Sequence, residues 1–429
     1  LALAAGVAIW RARARGHGVL LPVSWVVLAG ALAVAVFTLF EPYALIHRAP
    51  FIADIRLQAE IVRGQYDVPF TRQFIGLTPG LYELENMARY TLGPAFMIAA
   101  LAGMLVAARR VAQLRDPRLL LLLAWIVAYI PTLLITEARF LRYMLPLVPV
   151  LAVMAGGALA VLVQRRGDVF ARAIMATVLI VTAVWAFGFT SIYSHEHSRI
   201  AASHWMHEHI PLGSSVTAEA WDDALPLPYP DAPPINVQQI SFDIYGDTPP
   251  EETVVRIAET LSQADYVVLS SDRIRMSIDQ LPWRYAVQNE YYRRLLNGEL
   301  GFELVYERVV KPGLFGFTID DTQADESFTV YDHPHVRIFR KVESLTQAQI
   351  RERLRWSIAQ EWIPARDPGK QWLLLDQPVE TIGTDREASW NPLAGHLTLF
   401  DIVLWLLVVE VLGLAALPLA ALLLRGAPD

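Results

Sequence analysis

The 429-residue sequence predicts a polytopic α-helical membrane protein of about seven spans, the first one truncated, with an exterior α/β domain inserted before the last span. Three observations predict it. Apolar runs recur at about 1–10, 19–40, 91–108, 119–135, 143–163, 173–192 and 397–424, most of them near the ~20 residues a helix needs to cross a hydrocarbon core. Arginines cluster after alternate runs. Residues 193–396 instead carry strand and helix periods in turn.

The chain starts at Leu1 inside an apolar run, without an initiator Met or a signal-like charged start, and is expected to be a fragment. Arg11, Arg13 and Arg15 follow the first run, Arg109, Arg110, Arg115 and Arg118 the third, and Arg165, Arg166 and Arg172 the fifth. Short Arg-rich loops stay cytoplasmic. Alternation then places the loop 41–90, the turn 136–142 and the segment 193–396 outside the cell membrane, with Arg425 back in the cytoplasm. The expected organisation is membrane helices over 1–192, an extracytoplasmic domain over 193–396 and a last span within 397–429.

Within the exterior domain, a helix at about 198–209 ends at Ile210-Pro211-Leu212-Gly213, and Ser214 to Ala220 alternates like a strand. A second strand follows near Ile235–Ile244. Pro249-Pro250-Glu251-Glu252 puts proline and acids in the first turn of a helix running to about Gln263, before a buried-type strand at Asp265–Ser270. That is a β-α-β unit. A helix at 287–297, a strand-like segment Phe302–Val310, two strand-like pieces of Phe328–Arg340 split by Pro334, and a helix at 345–360 complete it.

Residues 193–395 hold 31 acidic and 18 basic side chains, a net charge of −13, which repels nucleic acid. Lysine occurs three times against 33 arginines, so the choice of Arg at any one site says little. With no cysteine, disulfides and thiolate metal sites are excluded. His195, His197, His204, His207 and His209 fall within 15 residues, but no acidic ligand is fixed by spacing. No cofactor is identified, and a divalent metal is unsupported. The acidic group Asp320, Asp321, Asp325 and Glu326 lacks the residue order of a calcium loop and reads as a solvated turn. Gly-rich phosphate loops, nucleophile elbows and His-Glu-x-x-His helices are missing from the sequence.

Charge inside the spans is more informative. Glu410 sits near the middle of 397–424, where an ionised carboxylate must face protein or a cavity, whereas Asp401 lies nearer the outer interface. Glu137, Arg139, Arg142 and Tyr143 fall at the outer headgroup level, followed by Pro146 and Pro149, which can kink the next helix. Two guanidinium groups there suit a lipid phosphodiester, and tyrosine suits the interface. Ordinary snorkelling to headgroups is the competing reading.

The run RFLRYMLPLVPVLAVMAG resembles the Arg-Tyr-x-Leu-Pro-x-x-Pro segment of GT-C membrane glycosyltransferases related to dolichyl-phosphate-mannose protein mannosyltransferases and lipid A aminoarabinose transferase. Residues 64–94, 202–226, 298–305 and 320–341 resemble, in order, blocks of a bacterial, Chloroflexi-like subgroup. The end of the chain is similar to the opening of a second membrane module, the Chlor_Arch_YYY domain. The resemblance implies transfer of a sugar from a polyprenyl-phosphate donor to an exterior glycan, lipid or protein acceptor, with a carboxylate as general base. It places that base upstream of this chain, so the catalytic residue is unknown and the fragment alone is expected to be inactive. Arg139, Arg142 and Tyr143 are the donor-phosphate candidates. A non-catalytic assembly module for envelope polysaccharide and a transporter are the alternatives, although the inverted repeats and broken helices of a transporter are not evident.

Overall fold

The computed structural model describes residues 20–114, 117–229, 237–246 and 248–355, together with Arg13, Gly16 and Leu407. The chain divides into two units, Leu1–Gly369 and Lys370–Asp429, and Leu407 is the one described residue of the second. The first apolar run and, Leu407 apart, the last, and with it Asp401 and Glu410, lie outside the described residues.

Among the described residues, seven α-helices longer than one turn lead the first unit: α1 Leu20–Phe40, α2 Arg48–Val62, α3 Leu81–Asn86, α4 Pro94–Leu114, α5 Pro117–Ile135, α6 Val148–Arg166 and α7 Val169–Thr190. Among the described residues, four stretches are long and apolar enough to cross a membrane: Val23–Phe40, Pro94–Gln113, Leu141–Arg166 and Val169–His209. A shorter apolar stretch, Leu119–Ile135, lies in α5. The helix ends follow local chemistry. Gly167 takes a left-handed φ of 65° after α6, whose last turn carries Arg165 and Arg166, and Asp168 then caps α7 by accepting from Ala171 N at 2.9 Å. The expected kink at Pro146 and Pro149 is absorbed differently: Pro146 sits in a 3₁₀ turn, Leu141–Leu147, and Pro149 lies in the first turn of α6, where no backbone donor is lost.

Helices α4 and α6 approach closely because Gly103 lacks a side chain. A Cβ there would lie 1.9 Å from the Met154 carbonyl oxygen. Met97, Ala100, Met144, Leu151 and Ala155 fill the contact.

The α/β domain opens with α8, Ser198–His209, followed by β1 Ser215–Glu219, β2 Gln238–Phe242, α9 Pro250–Gln263, β3 Tyr266–Leu269, α10 Arg273–Gln280 and α11 Ala286–Leu296. Then come β4 Phe302–Arg308, the hairpin strands β5 Gly313–Leu314 and β6 Phe317–Thr318, β7 Val336–Lys341 and α12 Gln347–Leu354. Five strands form one sheet in the order β2-β1-β3-β7-β4. β1 is parallel to β2 and β3, whereas β7 is antiparallel to β3 and β4. The crossover β2-α9-β3 gives the expected parallel unit. Alternation along β3 divides the core: Val267 and Leu269 join residues of α9 to α12, and Tyr266 and Val268 join Ala202 and Met206 of α8 on the other face.

Within the α/β domain α10 and the β5–β6 hairpin escape the sequence reading, and so do α2 and α3 within the loop 41–90. The first half of Phe328–Arg340 is no strand, because Asp325 caps a helical turn, Glu326–Thr329, by accepting from Ser327 N at 2.9 Å.

The loop 41–90 is ordered, and it fastens the α/β domain onto the helices. Asp67 accepts from Arg72 (3.0 Å) and Arg284 (2.6 Å), while Arg72 also donates to the Tyr245 carbonyl (2.9 Å) and the Tyr285 hydroxyl (2.6 Å). Burial by itself would raise the Asp67 carboxyl, but the two guanidinium groups outweigh it and hold it below the usual range.

Candidate functional site

The turn 136–142 is roofed by the loop 41–90. Glu137 N and Ala138 N donate to the Val62 carbonyl at 2.8 and 3.3 Å, and Ala138 and Phe140 are buried with Phe74 against Phe70, Tyr82 and Tyr143. This roof separates the two arginines. Arg139, 5% exposed, pairs with buried Glu83 at 2.6 Å and donates to the Leu133 carbonyl at 3.2 Å. Arg142 is exposed, with its guanidinium 4.1 Å from the Phe140 ring centre and 5.5 Å from that of Tyr143. Among the described residues no carboxylate lies within ion-pair distance of Arg142. Tyr143 packs edge-on to Phe140 at 5.8 Å, and its carbonyl accepts from the Tyr129 hydroxyl.

Arg142 stands at the junction of two cavities. One, of about 270 Å³, lies between the loop, the turn and the α/β domain, lined by Pro69, Phe70, Phe140, Trp221, Tyr245, Arg273, Ile274, Ser277, Glu326 and Tyr331 as well as Arg142. The other, of about 560 Å³, runs along the upper part of α7, lined mainly by apolar atoms of Leu141, Leu145, Trp185, Ala186, Phe189 and Phe328, with Tyr90 and Thr91. Arg142 and Tyr331 border both.

The first cavity is held by a polar network centred on buried Glu326. Arg273 donates to Glu326, to the Trp221 carbonyl (3.2 Å) and to the Tyr331 hydroxyl (3.0 Å), and Gln73 donates to the second Glu326 oxygen at 2.6 Å. Asp325 accepts from the Tyr82 hydroxyl at 2.6 Å, and its backbone N–H donates to Asn86. Burial raises the Glu326 carboxyl against the pull of Arg273, and raises that of Asp325 against its hydrogen bonds from Ser327 and Tyr82. Trp221 and Tyr331 remain 53% and 58% exposed, which leaves aromatic faces open to a ligand. Trp221 has a φ of 76°, uncommon for a bulky residue.

The acidic group 320–326 is therefore corrected from a solvated turn. Asp321, Asp325 and Glu326 are buried, Asp321 pairs with His333 at 2.6 Å, and Asp320 alone stays at the surface with Lys311. Sequence separation hid this, since Gln73 and Glu326 are 253 positions apart. Long separation in sequence likewise conceals Trp221, Arg273 and Tyr331, which line a cavity with Arg142. The histidine cluster does not converge on a metal: His197 caps α8 and meets the Tyr331 carbonyl, and His204 pairs with Glu196 at 2.9 Å. Among the described residues no three His, Asp or Glu side chains form a metal-binding group.

No family model, curated protein or solved structure matches the chain.

Proposed function

We propose that the protein is part of a membrane glycosyltransferase that moves a sugar from a polyprenyl-phosphate donor to an acceptor outside the cell membrane. The observation that supports this reading is the position of Arg142 between an apolar groove beside α7 and a polar, aromatic cavity under the α/β domain. A polyprenyl-phosphate sugar has the same three parts in the same order. Its isoprenoid tail suits the groove, its phosphate suits an exposed guanidinium with no described carboxylate within ion-pair distance, and its sugar suits Trp221 and Tyr331 with the Arg273–Glu326 pair. Arg139 is committed to Glu83, so of the two arginines Arg142 is the one left to meet the donor phosphate, with Tyr143 beside it. No carboxylate of this chain is assigned as the general base.

Binding tests the reading directly. Purified protein in nanodiscs is titrated with undecaprenyl phosphate and with undecaprenol, which differ by the phosphate. The phosphate should bind more tightly, and Arg142→Ala should remove the difference, a loss of about 1.5–3 kcal/mol or roughly ten- to a hundredfold. Arg142→Lys, which keeps the charge without the planar fork, should fall between. Equal affinity for the two lipids in the unaltered protein refutes the assignment.

A further inference from the structure

The β5–β6 hairpin breaks a local rule. Leu314 pairs with Phe317, leaving Phe315-Gly316 as a two-residue loop in which both residues have positive φ, 53° and 83°. Such loops favour Asn-Gly or Asp-Gly, because a bulky side chain resists the left-handed region. Here the position carries a phenylalanine that is 94% exposed, with Phe317 half-exposed beside it. Neither turn chemistry nor core packing accounts for Phe315, and residues that break local rules mark function.

The hairpin's position says what covers the ring. It lies along the upper end of α7. At its base, Gly313 N donates to Ser191 Oγ at 3.1 Å, and a Cβ on Gly188 would meet Gly313 at 3.9 Å. One residue nearer the tip, the Phe317 ring lies 6.0 Å from that of Trp185. Moving toward the tip thus moves down α7, away from the α/β domain and along an apolar helix. Trp185 also donates to the Tyr90 carbonyl, just before α4 begins at Pro94, which puts this layer near the adjoining ends of two apolar helices.

We infer that the hairpin Gly313–Thr318 is a lipid wedge, inserting Phe315 into the leaflet nearest the α/β domain. It anchors that domain beside the groove bordered by Arg142. The inference rests on α7 spanning the bilayer. It requires no glycosyl transfer.

The chain has no cysteine, so single substitutions give unique labelling sites. Phe315→Cys, Leu179→Cys on the exposed flank of α7, and Glu251→Cys at the start of α9 each carry an environment-sensitive nitrobenzoxadiazole dye, in phosphatidylcholine nanodiscs containing acyl-chain spin-labelled lipid. Dyes at 179 and 315 should emit at short wavelength and be quenched by the spin label, while the dye at 251 emits as in water. Quenching at 179 with a water-like signal at 315 overturns the wedge and leaves the membrane reading standing. A blue-shifted but unquenched 315 also overturns it, in favour of a protein contact. Absence of quenching at 179 overturns the membrane reading, and the wedge with it.

Discussion

Arg139 and Arg142 are three residues apart, and their substitution should give opposite results. Arg139 and Glu83 have side chains only 4% and 6% exposed, their ion pair is 2.6 Å long, and the second Glu83 oxygen accepts from Gly80 N at 2.7 Å. Arg139→Met removes the cation and leaves an uncompensated carboxylate under the roof of loop 41–90. Breaking one side of a buried pair costs about 3–5 kcal/mol. At about 2–4 °C per kcal/mol for a unit of some 150–250 residues, the melting temperature should fall by roughly 6–20 °C, nearer the lower figure in this larger unit. The double variant Arg139→Met, Glu83→Leu should recover most of the loss, because a buried pair replaced by apolar groups of similar volume is close to neutral. Thermal unfolding of detergent-solubilised protein followed by tryptophan fluorescence reads all of these. Arg142→Ala, on an exposed side chain, should melt within about 2 °C of the unaltered protein. A single Arg139→Met variant as stable as the parent, or a double variant no better than the single one, would refute the reasoning.

Two further expectations concern the domain core and the helix contact. Glu219, at the end of β1, is buried and accepts from the Tyr292 hydroxyl, and burial pushes its carboxyl up from 4.5 to about 8. Between those values the unfolded carboxyl is ionised and the folded one is not, so its contribution to stability falls as pH rises, by at most about 1.4 kcal/mol per pH unit. Glu219→Gln keeps a hydrogen-bonding partner for Tyr292 but cannot ionise, so it should flatten the loss of stability between pH 5 and 8, and identical pH slopes would exclude this account. Gly103→Val puts three carbons where a Cβ alone already meets the Met154 carbonyl at 1.9 Å, so α4 and α6 must separate. The variant should melt well below the parent, whereas Gly156→Ala in α6, where a Cβ meets nothing, should be tolerated.

The sequence by itself determined what depends on neighbours along the chain. Five of the seven apolar runs fall in described helices, because apolar length and the cost of unpaired backbone groups act locally. The helix Ser198–His209, the proline-led α9 and the strand Tyr266–Leu269 were legible for the same reason: period and capping are written within a dozen residues. The tertiary structure decided what depends on partners hundreds of positions away. A carboxylate at 326 looks solvated until Gln73 and Arg273 close on it, and an arginine at 139 looks like a lipid ligand until Glu83 takes it. Sequence places a charge at a level of the membrane, but only packing sets which charges are desolvated and paired and which remain free to meet a ligand.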